Sequence, residues 1–400
     1  MRAPRPLAVL ALLALAGAAC SRDRDPSSER VRRAESGTGD LVVGAAWPWE
    51  ARKQLLYGQG VDLAVEEVNR SGGIHGRRLR ILREDDRESV DEGSLVAQRF
   101  AKNPDVVAVI GHLQSYVTVP AAAVYDLAGI PVVAPASTDP ELTRRGYRRV
   151  FRATFTDGQA GRQMAEYAAH RGYRQVAIYY VRNPYGRSLA NAFEERADEL
   201  GIGVAARQSY DPNAEGGHRA AEQTALEWRP LQLDAVFVAG EVPHAAVFIA
   251  ELRRAGITVP VLGSDAMGIP DLFTVGGNAV DGTVVAAAFH PEDRRPEVRR
   301  FVTAFRERWG TPPDAAAALG YDAVQVLAQA MRRAAKPTPE RIAEALHGTR
   351  GWPGVTGVFS FDTDGDLPDK PVRKVVARGD RWRYLDEEAL PAVASGERPR

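Results

Sequence analysis

The sequence predicts an α/β protein of two Rossmann-like lobes, each a mainly parallel sheet flanked by helices. Three observations support this fold class. Short apolar runs alternate with helical patterns from residue 40 onward, and this alternation implies right-handed crossovers between parallel strands. Ten such runs are too many for one comfortable open sheet, and a second series begins near residue 157. The length of 400 residues also suits two domains.

The predicted strands are short apolar runs that end at turn-forming or polar residues. The first helix between them places Val61 and Val68 on one apolar face, and the pair Gly72-Gly73 suits a left-handed C-cap. In chain order the strands are LVVGAAW, LRILRED, VVAVIG, IPVVAP, VFRAT, QVAIYYV, VAARQSY, DAVFVAG, VPVLGS and TVVAAAF.

The last quarter of the chain reads differently. Helices are predicted over residues 298–309, 313–333 and 339–347, and strands and turns over 357–385, with ARGDRW as a hairpin turn. The segment DTDGD at 362–366 has the carboxylates of a calcium loop but lacks the later bidentate Glu. We therefore interpret it as a plain turn.

The N-terminus carries an export signal. Arg2 and Arg5 precede an apolar run, residues 7–16, that is too short for a permanent membrane span. Cys20, the only cysteine, follows LALAGAA, which resembles a bacterial lipoprotein signal whose cysteine becomes acylated. That signal usually has Leu three places before the cysteine, and Gly17 stands there, so cleavage near Ala19 with a free thiol remains an alternative. We expect an extracytoplasmic, membrane-anchored lipoprotein.

Amino-acid composition gives three further expectations, on the N-terminal segment, on binding partners and on disulfides. Residues 21–39 are rich in Ser, Arg, Asp and Glu, which predicts a flexible tether. The 52 basic and 52 acidic residues balance to a formal charge of zero, so the whole molecule is not drawn to nucleic acid. With a single cysteine, no intramolecular disulfide can form.

Polar residues follow several predicted strands, where open parallel sheets bind ligands. Ser115 also opens a predicted helix, whose N-terminus favours a carboxylate. Some residues at strand ends could have a structural role instead of binding a ligand. Ser115 and Thr138 could cap helices, Asp265 could cap the segment near Pro270, and Trp47 and Trp49 could be hydrophobic cover. The candidate residues that follow strands of the first lobe are Trp47, Trp49, Gln114, Ser115, Tyr116, Ala136, Ser137 and Thr138. Those that follow strands of the second lobe are Asn183, Tyr185, Glu241 and Asp265.

Four segments resemble the periplasmic binding proteins of type I that deliver branched-chain amino acids to ATP-binding-cassette (ABC) transporters. They are NRSGGIHGRRLRILREDD, VIGHLQSYVTVPAAAVYDLAGIPVVAPASTDPELTRRGY, NPYGRSLANAFE and GYDAVQVLAQAM, in matching order. The resemblance implies two lobes joined by three crossovers, which close on an amino acid by hinge motion. The expected divisions are a signal peptide at 1–20, a tether at 21–39, a first lobe of 40–155 plus 289–371, a second lobe of 156–288 plus 372–388, and a tail at 389–400.

The resemblance also implies roles for individual residues. Ser115, Thr138 and Ala136 would hold the ligand carboxylate, Asp265 the ligand ammonium, and Tyr185 would contact the ligand. Departures from the family concern the ligand side chain, because Glu241 stands where an aromatic residue is usual and the first strand ends in AWPWE. Two indoles beside Glu241 would suit a polar, cationic or aromatic group.

We therefore predict a monomeric solute-binding protein that delivers an amino acid, or a related zwitterion, to an ABC permease. It would use no cofactor or metal. A ligand sensor of the same fold that signals to a membrane partner is the alternative. An enzyme is disfavoured, because the chain lacks a G-x-G-x-x-G turn, a G-x-S-x-G elbow and a P-loop. His112 and His244 lie near no second metal ligand at a telling spacing and are interpreted as structural.

Overall fold

The computed structural model describes residues 25–385. The predicted signal peptide, Cys20 and the tail at 389–400 lie outside this range. Within it, no helix combines the length and apolar character needed to cross a membrane. The predicted fold class of two α/β lobes is confirmed, and all ten predicted strands are present.

The predicted tether is wrong for most of the segment that the structure describes, because a helix, α1 (Pro26–Glu35), forms there. The Asp25 carboxylate caps it by accepting from the backbone N–H groups of Ser27 and Ser28. Arg30, only 1% exposed, donates to the carbonyl oxygens of Ala101 at 2.6 Å, Asn103 at 3.3 Å and Ala128 at 3.4 Å. The segment is thus fixed by a buried guanidinium, together with Ala34, which packs into the core of the first lobe.

The first lobe is built on a five-stranded parallel sheet of order β2-β1-β3-β4-β5. Apolar residues fill both of its faces: α2 packs on one, and α3 and α4 pack on the other. The elements are β1 (Leu41–Trp47), α2 (Tyr57–Arg70), β2 (Leu79–Asp85), α3 (Val90–Lys102), β3 (Val106–Gly111), α4 (Ser115–Leu127), β4 (Val132–Ala134), α5 (Glu141–Arg144) and β5 (Val150–Arg152).

The second lobe begins directly after β5. Its parallel strands run in the order β10-β9-β8-β6-β7, with α6 and α7 on one face and α8, α9 and α10 on the other. The elements are α6 (Asp157–His170), β6 (Gln175–Val181), α7 (Pro184–Glu199), β7 (Gly203–Tyr210), α8 (Gly217–Trp228), β8 (Ala235–Ala239), α9 (His244–Arg254), β9 (Val261–Gly263), α10 (Asp271–Gly276) and β10 (Val284–Ala287).

The chain then returns to the first lobe and finally to the second. Helix α12 packs closely on α2, where a Cβ on Gly60 would come within 1.9 Å of the Ala317 carbonyl oxygen, so this contact requires glycine. The last two strands extend the second sheet antiparallel to β10. The elements are α11 (Pro296–Trp309), α12 (Ala315–Arg333), α13 (Pro339–His347), β11 (Trp352–Gly354), β12 (Gly357–Phe359), β13 (Arg373–Arg378) and β14 (Arg381–Leu385).

A buried polar network joins α12 to the segment between β11 and β12. The Asp322 carboxylate accepts from the backbone N–H groups of Val355 at 2.9 Å and Thr356 at 2.8 Å, and also from the Thr356 hydroxyl. The Lys370 ammonium donates to that hydroxyl at 2.9 Å. Burial raises the pKa of Asp322 and lowers that of Lys370 to about 7.

The segment DTDGD forms the predicted turn. The Asp362 carboxylate accepts from the backbone N–H groups of Asp364 and Asp366. Gly365 has φ +84°, and a Cβ there would meet the Val150 carbonyl oxygen at 2.1 Å, so the turn packs tightly against β5. No group of three or more His, Cys, Asp or Glu side chains within residues 25–385 is arranged to hold a metal ion.

Candidate functional site

The cleft between the lobes collects polar side chains from the carboxyl ends of both sheets. In the first lobe, Ser115 is the first residue of α4, which follows β3. Its hydroxyl accepts from the backbone N–H of Asp139 at 3.4 Å, which ties it to the loop after β4. Thr138 in that loop is buried, and Ala136 is partly exposed beside it. Ser115 and the β4 loop therefore form one wall of the cleft.

Asp157, at the crossover into the second lobe, contacts this wall and was missed by the sequence analysis. It is the first residue of α6, after the Thr156 cap, and its backbone N–H donates to the Thr138 carbonyl oxygen at 2.9 Å. The side chain is 1% exposed, and within residues 25–385 neither carboxylate oxygen has a hydrogen-bond partner. Burial raises its pKa to about 8; the nearby Thr138 hydroxyl lowers it in part, and the charge of Asp265 raises it further.

Asp265 approaches from the second lobe. It follows β9 and opens a short 3₁₀ turn, Asp265–Met267. The hydroxyl of Tyr185, in the first turn of α7, donates to its Oδ1 at 2.7 Å. Burial raises the pKa of Asp265 as well. Because the charge of Asp265 opposes the ionisation of Asp157, the two carboxyl groups form an acidic pair in the cleft, in which Asp157 holds a proton at neutral pH.

A second group of polar residues lies beside this pair, and we call it the outer cluster: Arg52, Glu88, Gln114 and Tyr116. Arg52 Nε lies 2.5 Å from Glu88 Oε1. Gln114 donates to the same oxygen at 3.0 Å, and the Tyr116 hydroxyl donates to the Glu88 carbonyl oxygen at 3.3 Å. The cluster is therefore internally paired.

Glu241 faces the outer cluster from the second lobe. It follows β8, and its Oε1 accepts from the Asn183 amide at 3.4 Å. Burial raises the pKa of Glu241, which the Asn183 amide and Arg52 partly lower and the charges of Glu88 and Asp265 raise. These mutual effects link residues from both lobes, so Glu241 belongs to the cleft.

Three of the predicted ligand contacts also make contacts within the first lobe. Trp47 is 1% exposed and stacks on Tyr57 with ring centroids 3.7 Å apart. The Trp49 indole donates to the Glu84 carbonyl oxygen at 3.0 Å and lies under the Arg83 guanidinium. The Trp47 indole is therefore part of the first-lobe core, which was the alternative interpretation. Trp49 is partly exposed and lines a cavity with Arg52 and Arg83, so its contact with the ligand stays a prediction.

The third is Ser137, which is fully buried. Its hydroxyl donates to Thr118, and its carbonyl oxygen accepts from Arg152. His112, interpreted as structural, is also fully buried, with Asp86 at 2.7 Å from Nδ1 and the Tyr125 hydroxyl at 3.1 Å from Nε2.

A signal for the missed residues was present in the sequence. Asp157 follows the fifth strand, and Glu88 follows the second, as Ser115 follows the third. The rule that ligands bind beyond strand ends was applied to strands one, three and four of the first lobe. Its application to strands two and five would have included both carboxylates.

Comparison with known proteins decides the family. The family model of periplasmic binding proteins matches residues 56–379 of this chain. This chain belongs to that family. A relative from Brucella suis, named Leu/Ile/Val-binding protein homolog 1, is 30% identical to this binding protein over 361 residues, which cover 88% of this chain and 95% of the relative. The resemblance found from the four sequence segments is therefore confirmed.

Solved structures agree with this assignment. An ABC transporter substrate-binding protein from Desulfitobacterium hafniense, in complex with Leu, matches this binding protein with a TM-score of 0.79 at 34% identity, over 86% of this chain and 100% of that one. A leucine binding protein from Thermotoga maritima matches with a TM-score of 0.78 at 28% identity, over 86% and 97%.

Proposed function

We propose that this chain is an extracytoplasmic lipoprotein, anchored through Cys20, that captures an amino acid between its lobes and presents it to an ABC permease. The names of the relatives support the transport role, since they include a Leu/Ile/Val-binding protein homolog and an ABC transporter substrate-binding protein. Lobe closure would bury the ligand and create the surface that the permease recognises.

The ligand's ammonium group would lie between the two carboxyl groups of the cleft. Asp265, with its Tyr185 hydrogen bond, approaches from the second lobe, and Asp157 lies at the crossover between the lobes, where α6 begins and its backbone N–H donates to the Thr138 carbonyl oxygen. The Ala136 carbonyl oxygen beside them can accept a further hydrogen bond. Charge-assisted hydrogen bonds of this kind are roughly twice as strong as neutral ones.

The ligand's carboxylate would lie at the start of α4. There the Ser115 hydroxyl, the Thr138 hydroxyl and the backbone N–H groups that precede Val117 could donate, since those of Val117 and Thr118 already donate to the Gln114 carbonyl oxygen, and the positive end of the helix dipole favours an anion. A molecule with an ammonium and a carboxylate on one carbon fits both ends. The substrate class is therefore the α-amino acids.

The observation that carries this proposal is the state of Asp157. A buried carboxyl group normally has hydrogen-bond partners, yet no donor lies in ordinary hydrogen-bond geometry with either oxygen of Asp157. The nearby Thr138 hydroxyl lowers its pKa only in part, and a pKa near 8 reflects the cost of ionising the group there. A bound ammonium would supply donors and a positive charge together. A role in binding an ammonium group would explain why a buried carboxyl group lies in the cleft between the lobes.

The test is a thermal-shift screen of the mature protein, unfolded to remove bound ligand and refolded, against the common amino acids. A ligand at 100 times its Kd stabilises the folded state by about 2.7 kcal/mol. Ser115→Ala and Asp265→Ala are expected to abolish the shift while leaving the ligand-free protein folded.

Ser94→Ala is the matched control, because Ser94 also lies on a first-lobe helix but its hydroxyl donates only to the Val90 carbonyl oxygen at the surface. This variant should bind normally. Undiminished binding by both cleft variants would refute the assigned site, and the absence of any amino acid that stabilises the wild-type protein would refute the proposed function.

A further inference from the structure

The loop that follows β2 delivers a charged residue to the cleft at a cost in backbone strain. Arg87 and Glu88 have φ values of +53° and +54°, a region that residues other than glycine rarely adopt. The carboxylates of Asp85 and Asp86 hold them there by accepting from their backbone N–H groups at 2.8 and 3.0 Å. Such strain is characteristic of functional positions, and here it directs Glu88 toward the second lobe.

The charge of Glu88 is already compensated. Its Oε1 is bound by Arg52 at 2.5 Å and by the Gln114 amide at 3.0 Å. Arg52 forms no other ion pair within the described part of the chain, so one cation and one carboxylate cancel each other. The outer cluster thus presents a rigid, polar and nearly neutral wall.

Glu241, on the opposite side, has no ion-pair partner of its own within residues 25–385, and Arg52, which is paired with Glu88, lowers its pKa only in part. No cationic side chain of residues 25–385 lies within ion-pair distance of the Glu241 carboxylate. The Asn183 amide donates to its Oε1 at a long 3.4 Å. The backbone N–H of Glu241 donates to the Tyr210 hydroxyl at 3.1 Å, which fixes its position at the end of β8. Closure would remove water from this carboxylate, and a buried charge without a partner is costly.

We propose that Glu241 and the outer cluster form a subsite for the ligand's side chain, and that this subsite selects amino acids whose side chain ends in a cationic nitrogen. This inference rests on the function proposed above and specifies its ligand. An aliphatic side chain would leave Glu241 desolvated and unpaired, whereas an ammonium or guanidinium group would neutralise it. The amide oxygen of Gln114 and the hydroxyl of Tyr116 add acceptors for the remaining N–H donors.

The test compares L-lysine with L-norleucine, which has the same carbon chain without the terminal nitrogen, by isothermal titration of the refolded, ligand-free protein. L-arginine, L-leucine and L-glutamine complete the panel. Lysine or arginine is expected to bind at least about tenfold more tightly than norleucine. In Glu241→Gln this preference should fall to less than about threefold, with norleucine affinity unchanged or improved.

Glu222→Gln, on the exposed surface of α8, is the matched control and should keep the wild-type preference. Tighter binding of norleucine, leucine or glutamine than of lysine and arginine would overturn the inference while leaving amino acid capture intact. A preference for basic ligands that persists in Glu241→Gln would also overturn it. Failure of every amino acid to bind would instead remove the proposed function and this inference together.

Discussion

Ligand binding should release a proton from Asp157, and Asp157→Asn should suppress that release. With a pKa of about 8, the carboxyl group is about nine-tenths protonated at pH 7 in the ligand-free protein. An ammonium group against it favours the ionised form. Binding at pH 7 is therefore expected to release about 0.9 proton from this residue alone, falling to about 0.1 at pH 9.

The assay is isothermal titration of one amino acid ligand at pH 7 in two buffers with different ionisation enthalpies. The difference between the observed binding enthalpies gives the number of protons released. Asp157→Asn should lower that number by most of one proton and weaken binding by roughly tenfold to a hundredfold, since a hydrogen bond to a charged group contributes about 1.5–3 kcal/mol.

Asp62→Asn, an exposed carboxylate paired with Arg83, is the control and should leave proton release unchanged. If wild-type binding enthalpies do not depend on the buffer, or if Asp157→Asn releases as many protons as the wild type, the role given to Asp157 is refuted.

The same group predicts a pH dependence of stability in the ligand-free protein. Because its pKa rises from 3.8 to about 8 on folding, the folded state holds a proton that the unfolded state loses over this interval. Its contribution to stability is therefore fully present below about pH 4 and is lost as the pH rises to about 8, by at most about 6 kcal/mol at 1.4 kcal/mol per pH unit. Urea unfolding at several pH values should show a shallower decline for Asp157→Asn.

Two further predictions concern stability. Arg30→Ala should lower the free energy of unfolding by about 1.5–3 kcal/mol, because it removes charged hydrogen bonds to three carbonyl groups, whereas the exposed Arg33→Ala should cost less than about 1 kcal/mol; equal effects in urea unfolding would contradict the docking role of Arg30. Asp322→Ala should cost about 3–5 kcal/mol, since it leaves two backbone N–H groups and the Thr356 hydroxyl buried without their acceptor and the Lys370 ammonium without a counter-charge, and a loss below about 1 kcal/mol would show that the network is dispensable.

The sheets could be predicted from the sequence because each strand is a short apolar run bounded by turn residues, and parallel strands buried on both faces require that pattern. The N-terminal helix could not. Its docking depends on Arg30, which reaches carbonyl oxygens 71 to 98 residues away in the chain. Amino-acid composition treats arginine as a sign of disorder, and it cannot show that one arginine is buried against distant parts of the chain.

Some of the cleft residues could likewise be predicted from the sequence, and others could not. Ser115, Thr138 and Asp265 stand at strand ends, where topology alone brings them to one edge of each sheet. The packing of Trp47 on Tyr57 was open at the sequence level, because an indole after a strand suits a ligand or a core equally well. Asp157 also follows a strand and could have been found by the same rule, but its burial is a result of packing that the sequence does not show.

With the lipid anchor on Cys20 that is proposed above, the docked N-terminal helix would limit how far the protein can move from the membrane. An extended chain covers about 3.4 Å per residue, so a free segment of residues 21–39 would allow a leash of about 65 Å, whereas residues 21–25 allow about 17 Å. Since α1 is fastened to the first lobe, that lobe would stay close to the bilayer. The second lobe would then perform most of the swinging during closure, and a permease would meet the protein in a nearly constant orientation.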